Sequence, residues 1–179
     1  MINIEYDEIK KIFYQKYPDL KMIEVNPANF VFEQRVVQKC YHCKNYNSKW
    51  TCPPRTPKVD YPLMFSEYNN GAIIICELFV NGENFEVNRS LSTNLVHRSL
   101  LFLEGELYNR NESLAVSFIG GSCKLCKNGC NESKCSNPYL SRMPLEATGC
   151  NVVKSLEKYN INISFPIVDV LYRYGLLLW

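Results

Sequence analysis

The sequence predicts an α/β fold of the α+β sandwich type: a small central mixed sheet flanked by helices, with two cysteine-rich metal-binding loops at strand ends. Three observations predict it. Stretches with apolar residues at helical spacing alternate with short apolar runs of strand length. Pro, Gly or Asn punctuates most of the boundaries. The cysteines concentrate in two tracts that fall between those segments.

Residues 4–16 carry Ile9, Ile12 and Phe13 at helical spacing, and Pro18 follows as a stop. "KMIEV" (21–25) reads as a strand, and "NFVFEQRVV" (29–37) as a further extended segment leading into the first cysteine tract. "YPLMFSEYNN" (61–70) is a short helix with Pro62 near its start. After Gly71, "AIIICEL" (72–78) is a buried strand.

Residues 89–109 form the longest helix, with Leu91, Leu95, Leu103 and Leu107 along one side. "SLAVSFIGG" (113–121) is a strand that ends in a Gly-Gly turn directly before the second cysteine tract. "MPLEATG" (143–149) is a short helix ended by Gly149, Asn151 caps a helix over "VVKSLEKY", and "YRYGLLLW" (172–179) is a closing strand.

A chain of 179 residues is expected to form a single domain over 1–179 with a sizeable core. With 46% apolar and 21% charged residues it has an ordinary globular composition, and a net charge of +2 gives no case for nucleic acid or a membrane as partner. No run approaches the length of a membrane helix. "MINIEYDEIKK" is acidic where a signal peptide would be basic and then apolar, so we expect a cytoplasmic location. Nine cysteines in a reducing compartment are expected to be ligands or catalysts rather than disulfides, and an odd count argues the same way.

The first tract is Cys40-x2-Cys43-x8-Cys52-Pro53-Pro54. The second is Cys123-x2-Cys126-x3-Cys130-x4-Cys135. Structural zinc takes two Cys-x2-Cys knuckles separated by roughly 12–20 residues, because two hairpins must close on one small ion. The second tract instead supplies four thiols from one tight loop, as when a chain wraps a larger iron–sulfur cubane. Compact ferredoxin runs also end in Cys-Pro, which Cys52-Pro53 matches. The reading is iron–sulfur, with zinc as the less favoured metal.

The first tract has three ligands. Its fourth remains open among Cys76, Cys150, His42, a thiol from the second tract, or no protein group at all. A centre held by three cysteines leaves one position for a substrate, by the same logic as an open catalytic zinc. Cys76 and Cys150 are expected to be packing residues and His42 to be exposed or supporting.

Charge favours the same tracts. Lys39, Lys44, Lys49, Arg55 and Lys58 surround the first with no acid in 36–59, and Lys124, Lys127, Lys134 and Arg142 surround the second against Glu132 alone. Such cations offset thiolate charge and suit an acidic partner or anionic substrate. Tyr41, Tyr46 and Trp50 are positioned in sequence either to shield the first centre or to join the core.

"CYHCKNYNSKWTCPPRTP", "GGSCKLCKNGCNESKCSNPYLSRMPLEATGCNVV" and the closing "YGLLLW" together resemble the bacterial and archaeal predicted metal-binding proteins grouped as domain of unknown function 2284, over nearly the whole chain. The resemblance implies cysteine-bound metal, foremost iron–sulfur, in anaerobic or redox-active microbes, and no established reaction. It carries over Cys40, Cys43 and Cys52 from the first motif and Cys123, Cys126, Cys130 and Cys135 from the second. Two departures stand out: Gly129 widens the middle gap of the second motif, and the family's position 150 is usually aliphatic, which supports packing for Cys150.

The expected function is therefore an iron–sulfur protein holding one or two 4Fe-4S clusters in electron transfer, with a redox partner protein. The rivals are an enzyme that uses the three-cysteine centre for sulfur transfer, desulfuration or dehydration of a small molecule, and a zinc-stabilised interaction module. No Ser-His-Asp set, phosphate loop or dinucleotide fingerprint suggests other chemistry.

Overall fold

A computed structural model describes residues 4–81, 83–163 and 165–179. Its sheet has four strands, β1 (Lys21–Val25), β2 (Gly71–Phe79), β3 (Val116–Ile119) and β4 (Val170–Leu178), in the order β1-β2-β4-β3. Helices α1 (Tyr6–Lys16), α2 (Gln34–Tyr41), α3 (Tyr61–Ser66), α4 (Phe85–Tyr108) and α5 (Val152–Glu157) surround it, with short 3-10 turns at Pro27–Asn29 and Leu145–Thr148. The α+β class is as expected. Among the described residues, no helix is long and apolar enough to cross a membrane.

The sheet is antiparallel in every strand pair, not mixed. The β2–α4–β3 segment does run as a crossover between strands of the same direction, as the alternating pattern suggested. β4, arriving last, inserts between them and pairs antiparallel to both.

The alternation along β2 builds two cores. Ala72, Ile74 and Cys76 face one side, against Ile9 and Phe13 of α1 and Val96, Leu100, Leu103 and Leu107 of α4. Ile73 and Ile75 face the other, against Tyr61 and Phe65 of α3 and Val152 and Leu156 of α5. α4 meets β4 at Gly175, where an added Cβ would lie 2.5 Å from Leu100 Cδ1. The buried stripe of α4 thus runs through Val96 and Leu100 to Leu103 and Leu107; Leu91, expected on it, is exposed and Leu95 is half-buried.

The second difference is α2. The adjacent Val36 and Val37 suggested an extended segment, yet residues 34–41 are helical. No side chain of α2 is fully buried, so it has no core stripe for the sequence to display. It is held from outside: Glu33 N–H donates to Gly149 O at 2.9 Å and Asn151 N–H to Val31 O at 2.7 Å, so the entry to α2 is tied to the start of α5. This carries Cys40 to the Leu145–Thr148 turn, where its thiol lies 4.0 Å from the Glu146 carbonyl.

Candidate metal centre

The two cysteine tracts line two separate cavities. Cys123 belongs to the α1/α4 core, whereas Cys150, beside the first tract, belongs to the α3/α5 core. The chain passes between them at Gly120-Gly121. A Cβ at Gly120 would lie 2.8 Å from the Tyr174 carbonyl, and Gly121 has a φ of +74°, so this turn requires both glycines.

Cys123, Cys126, Cys130 and Cys135 line one small cavity of about 10 Å³, room for a single water-sized body. Lys49, Trp50 and Thr51 of the first tract close over it. Lys49 Nζ donates to Cys123 O at 3.1 Å, and Trp50 Nε1 donates to Asn131 O at 2.7 Å. Asn137 Nδ2 donates to Cys126 Sγ at 3.3 Å. Cys40, Cys43 and Cys52 line a different and much larger cavity, about 530 Å³, on the far side of residue 51. Asn45 donates to Cys43 Sγ from its backbone and its side-chain nitrogen, at 3.5 and 3.7 Å.

Burial pushes the Cys123 and Cys40 thiols upward, helped at Cys40 by the neighbouring Glu146 carboxylate, and it pushes Cys52 up to about 11. These thiols are protonated near neutral pH, and a metal taken up here displaces their protons.

The donor set fits a thiolate-bound metal in kind. The small cavity has four thiols and no carboxylate or imidazole, a soft set suited to iron–sulfur or zinc and unsuited to magnesium or calcium. One buried hydroxyl lies between the two sets: Thr51 Oγ1 lines this cavity, has no hydrogen-bond partner among its four thiols, and favours the thiolate of Cys52 in the other. Among the described residues, no group of three or more Cys, His, Asp or Glu draws together tightly enough to grip a single ion.

The remaining candidates separate clearly. Cys76 sits in the α1/α4 core, opposite Arg173 in the strand register, and lines neither cavity. His42 is exposed, edge-on to Tyr41. Cys150 lines the large cavity with Cys40, Cys43 and Cys52, but it is fully buried, its thiol is 3.5 Å from Ser155 Oγ, and burial pushes it up to about 12. Of the three aromatics, Tyr41 is exposed, Tyr46 lines the large cavity and Trp50 the small one; none joins either core. Arg142, counted among the cations of the second tract, is neutralised by an ion pair with Glu104.

Glu146 and Tyr174 were not foreseen. Both line the large cavity, and Tyr174 Oη donates to Glu146 Oε1 at 2.5 Å while Gly121 N–H donates to Oε2 at 3.3 Å. Burial and then the adjacent carboxylate raise the Tyr174 hydroxyl well above its ordinary range. The partners are 28 residues apart in sequence, so only the fold brings them together.

The chain belongs to the family described as "Predicted metal-binding protein (DUF2284)", which matches residues 23–179 and so spans both thiol sets. No curated protein and no solved structure matches it.

Proposed function

We propose that this metal-binding chain is an iron–sulfur protein of redox function. Cys123, Cys126, Cys130 and Cys135 hold one 4Fe-4S centre, and Cys40, Cys43 and Cys52 hold a second. The observation that carries the reading is that the two thiol sets line two separate spaces, one small and covered, the other wide. When bound, such a centre supplies a reversible one-electron couple, and an iron held by only three cysteines keeps a position for another ligand.

The chain's own groups suit that task. Lys49, Trp50 and Thr51 cover part of the four-thiol set, and Asn137 donates a hydrogen bond to one of its sulfurs. Loading that set with a cubane requires the irregular 122–140 loop to move outward, since the cavity is only about 10 Å³. The exposed Lys44, Lys127 and Lys134 give an acidic redox partner a docking charge.

The width of the second space favours a further reading, in which the three-thiol centre acts on a small molecule by sulfur transfer, desulfuration or dehydration. Protein purified without oxygen, assayed for iron, acid-labile sulfide and zinc, tests both. Iron with matching sulfide supports them, and zinc without sulfide rejects both in favour of a zinc-stabilised module.

A further inference from the structure

The cavity beside Cys40, Cys43 and Cys52 has the size and the walls of a small-molecule site. Its volume is about 530 Å³, within the range of roughly 300–1,000 Å³ typical of ligand pockets. Val36, Pro53, Val152, Val153 and Phe165 supply apolar walls. Charged groups occupy two places only, and they differ in sign.

At the mouth, Arg35 and Lys39 stand one helical turn apart on α2, both exposed. Arg35 is bonded to Glu33, which also accepts from Lys154 Nζ at 2.7 Å and from Asn151 Nδ2 at 2.9 Å. These donors hold the Glu33 carboxyl well below its ordinary range. Glu33 is thus fully occupied, and Lys39 makes no ion pair among the described residues. Of the lining groups here, two cations, Arg35 and Lys39, stand against one anion, Glu33, and leave the mouth positive.

The inner end carries Glu146 beside the thiols. Tyr174 and Gly121 each supply one hydrogen bond to its carboxylate. An ionised carboxylate has about four acceptor sites, so capacity remains for a ligand O–H or S–H. A ligand anion at this end would meet Glu146 and metal-bound thiolates, and is repelled. At the mouth it meets Lys39.

We propose that this cavity binds a small hydroxy- or mercaptocarboxylate with an apolar body. Its carboxylate lies at Lys39, its body between Val36, Val152 and Phe165, and its hydroxyl or thiol at Glu146 beside the three cysteines. The assignment rests on the reading that the three-thiol centre keeps a position for a small molecule, but the anchoring groups belong to the chain itself.

The test uses 6-hydroxyhexanoate as probe, with pentan-1-ol as its counterpart lacking the carboxylate and hexanoate as the one lacking the hydroxyl. Binding is measured by calorimetry to the anaerobically prepared protein and to its metal-free form. We expect the hydroxy acid to bind about tenfold more tightly than either counterpart, and Lys39→Glu to remove the advantage over the alcohol while leaving alcohol binding unchanged. Glu146→Gln should reduce the advantage over hexanoate. Equal binding of all three probes, or indifference to Lys39→Glu, overturns the proposal. The two readings fail separately. Carboxylate binding through Lys39 in a protein that contains zinc and no sulfide sinks the iron–sulfur reading alone. An iron- and sulfide-containing protein that binds none of the probes sinks the ligand assignment alone.

Discussion

Lys49 Nζ donates to the main-chain carbonyl of Cys123, so a residue of the first cysteine tract fastens the first thiol of the second. Together with Trp50 Nε1 on Asn131 O, this clamps residues 49–51 across the four-thiol cavity, while the next residue, Cys52, opens on the other side. We predict that Lys49→Met and Trp50→Phe each speed release of metal from the four-thiol set to a chelator several-fold. The cost to folding should be about 1 kcal/mol per lost hydrogen bond. Unchanged release rates would remove the clamp from the account.

Thr51→Val replaces a buried, unpartnered hydroxyl by a methyl of the same shape. An unsatisfied buried group costs about 1–3 kcal/mol, so the metal-free variant should melt at the same temperature or higher. In the loaded protein the loss of an O–H donor to sulfur should make the reduction potential more negative, and Thr51→Ser should restore it. A potential unmoved by Thr51→Val would show that the hydroxyl serves no sulfur.

The cysteines outside the two motifs are expected to be dispensable for metal. Cys76→Ala and Cys150→Ala should keep the full metal content and destabilise by about 1–2 kcal/mol through lost packing. Metal analysis and thermal melting check both. Loss of metal in Cys150→Ala alone would make it the missing ligand of the three-thiol set, whose cavity it shares.

His97 of α4 is buried, and its Nε2 lies 2.8 Å from Leu140 O, which anchors the segment that follows Cys135. Burial lowers its pKa below the ordinary value of 6.5; nearby Arg142 lowers it too, while the Leu140 carbonyl and Glu104 raise it. The folded chain therefore holds His97 neutral while the unfolded chain takes up a proton as pH falls through about 6.5. Stability should be full above that pH and decline from there down towards the folded value. His97→Gln should flatten this part of the profile, measured by denaturant melts between pH 7.5 and 5.

The core makes a simpler demand. Leu100 is fully buried where α4 crosses Gly175, so Leu100→Ala should cost about 2–5 kcal/mol in the same melts. The cysteine sets should still take up metal in whatever fraction remains folded.

The grouping of seven thiols into two sets was legible because spacing is a local property: each set comes from one tract of chain. β1 and β2 were legible for a similar reason, since each displays its buried residues within its own run; α4 was legible as a helix but its face only in part, because buried Ser92, Thr93, His97 and Ser99 dilute the apolar stripe and Leu91 is exposed. α2 was not, because it buries no side chain fully and its Val36-Val37 pair mimics a strand. The antiparallel sheet, expected as mixed, was hidden in the order of chain arrival, with β4 entering between β2 and β3. Glu146 and Tyr174 gave no signal either. One sits in a short 3-10 turn, the other in the closing strand, and their meeting depends on Gly120 letting the chain pass against Tyr174.

The most direct test of two separate centres is iron and sulfide per chain in anaerobically prepared wild type, Cys126→Ser and Cys43→Ser, with circular dichroism to confirm that each variant is folded. The account predicts about eight irons and eight sulfides in the wild type and about half of each in either variant. If one variant lost everything while the other lost nothing, a single thiol set would hold all the metal and the two-centre reading would be contradicted.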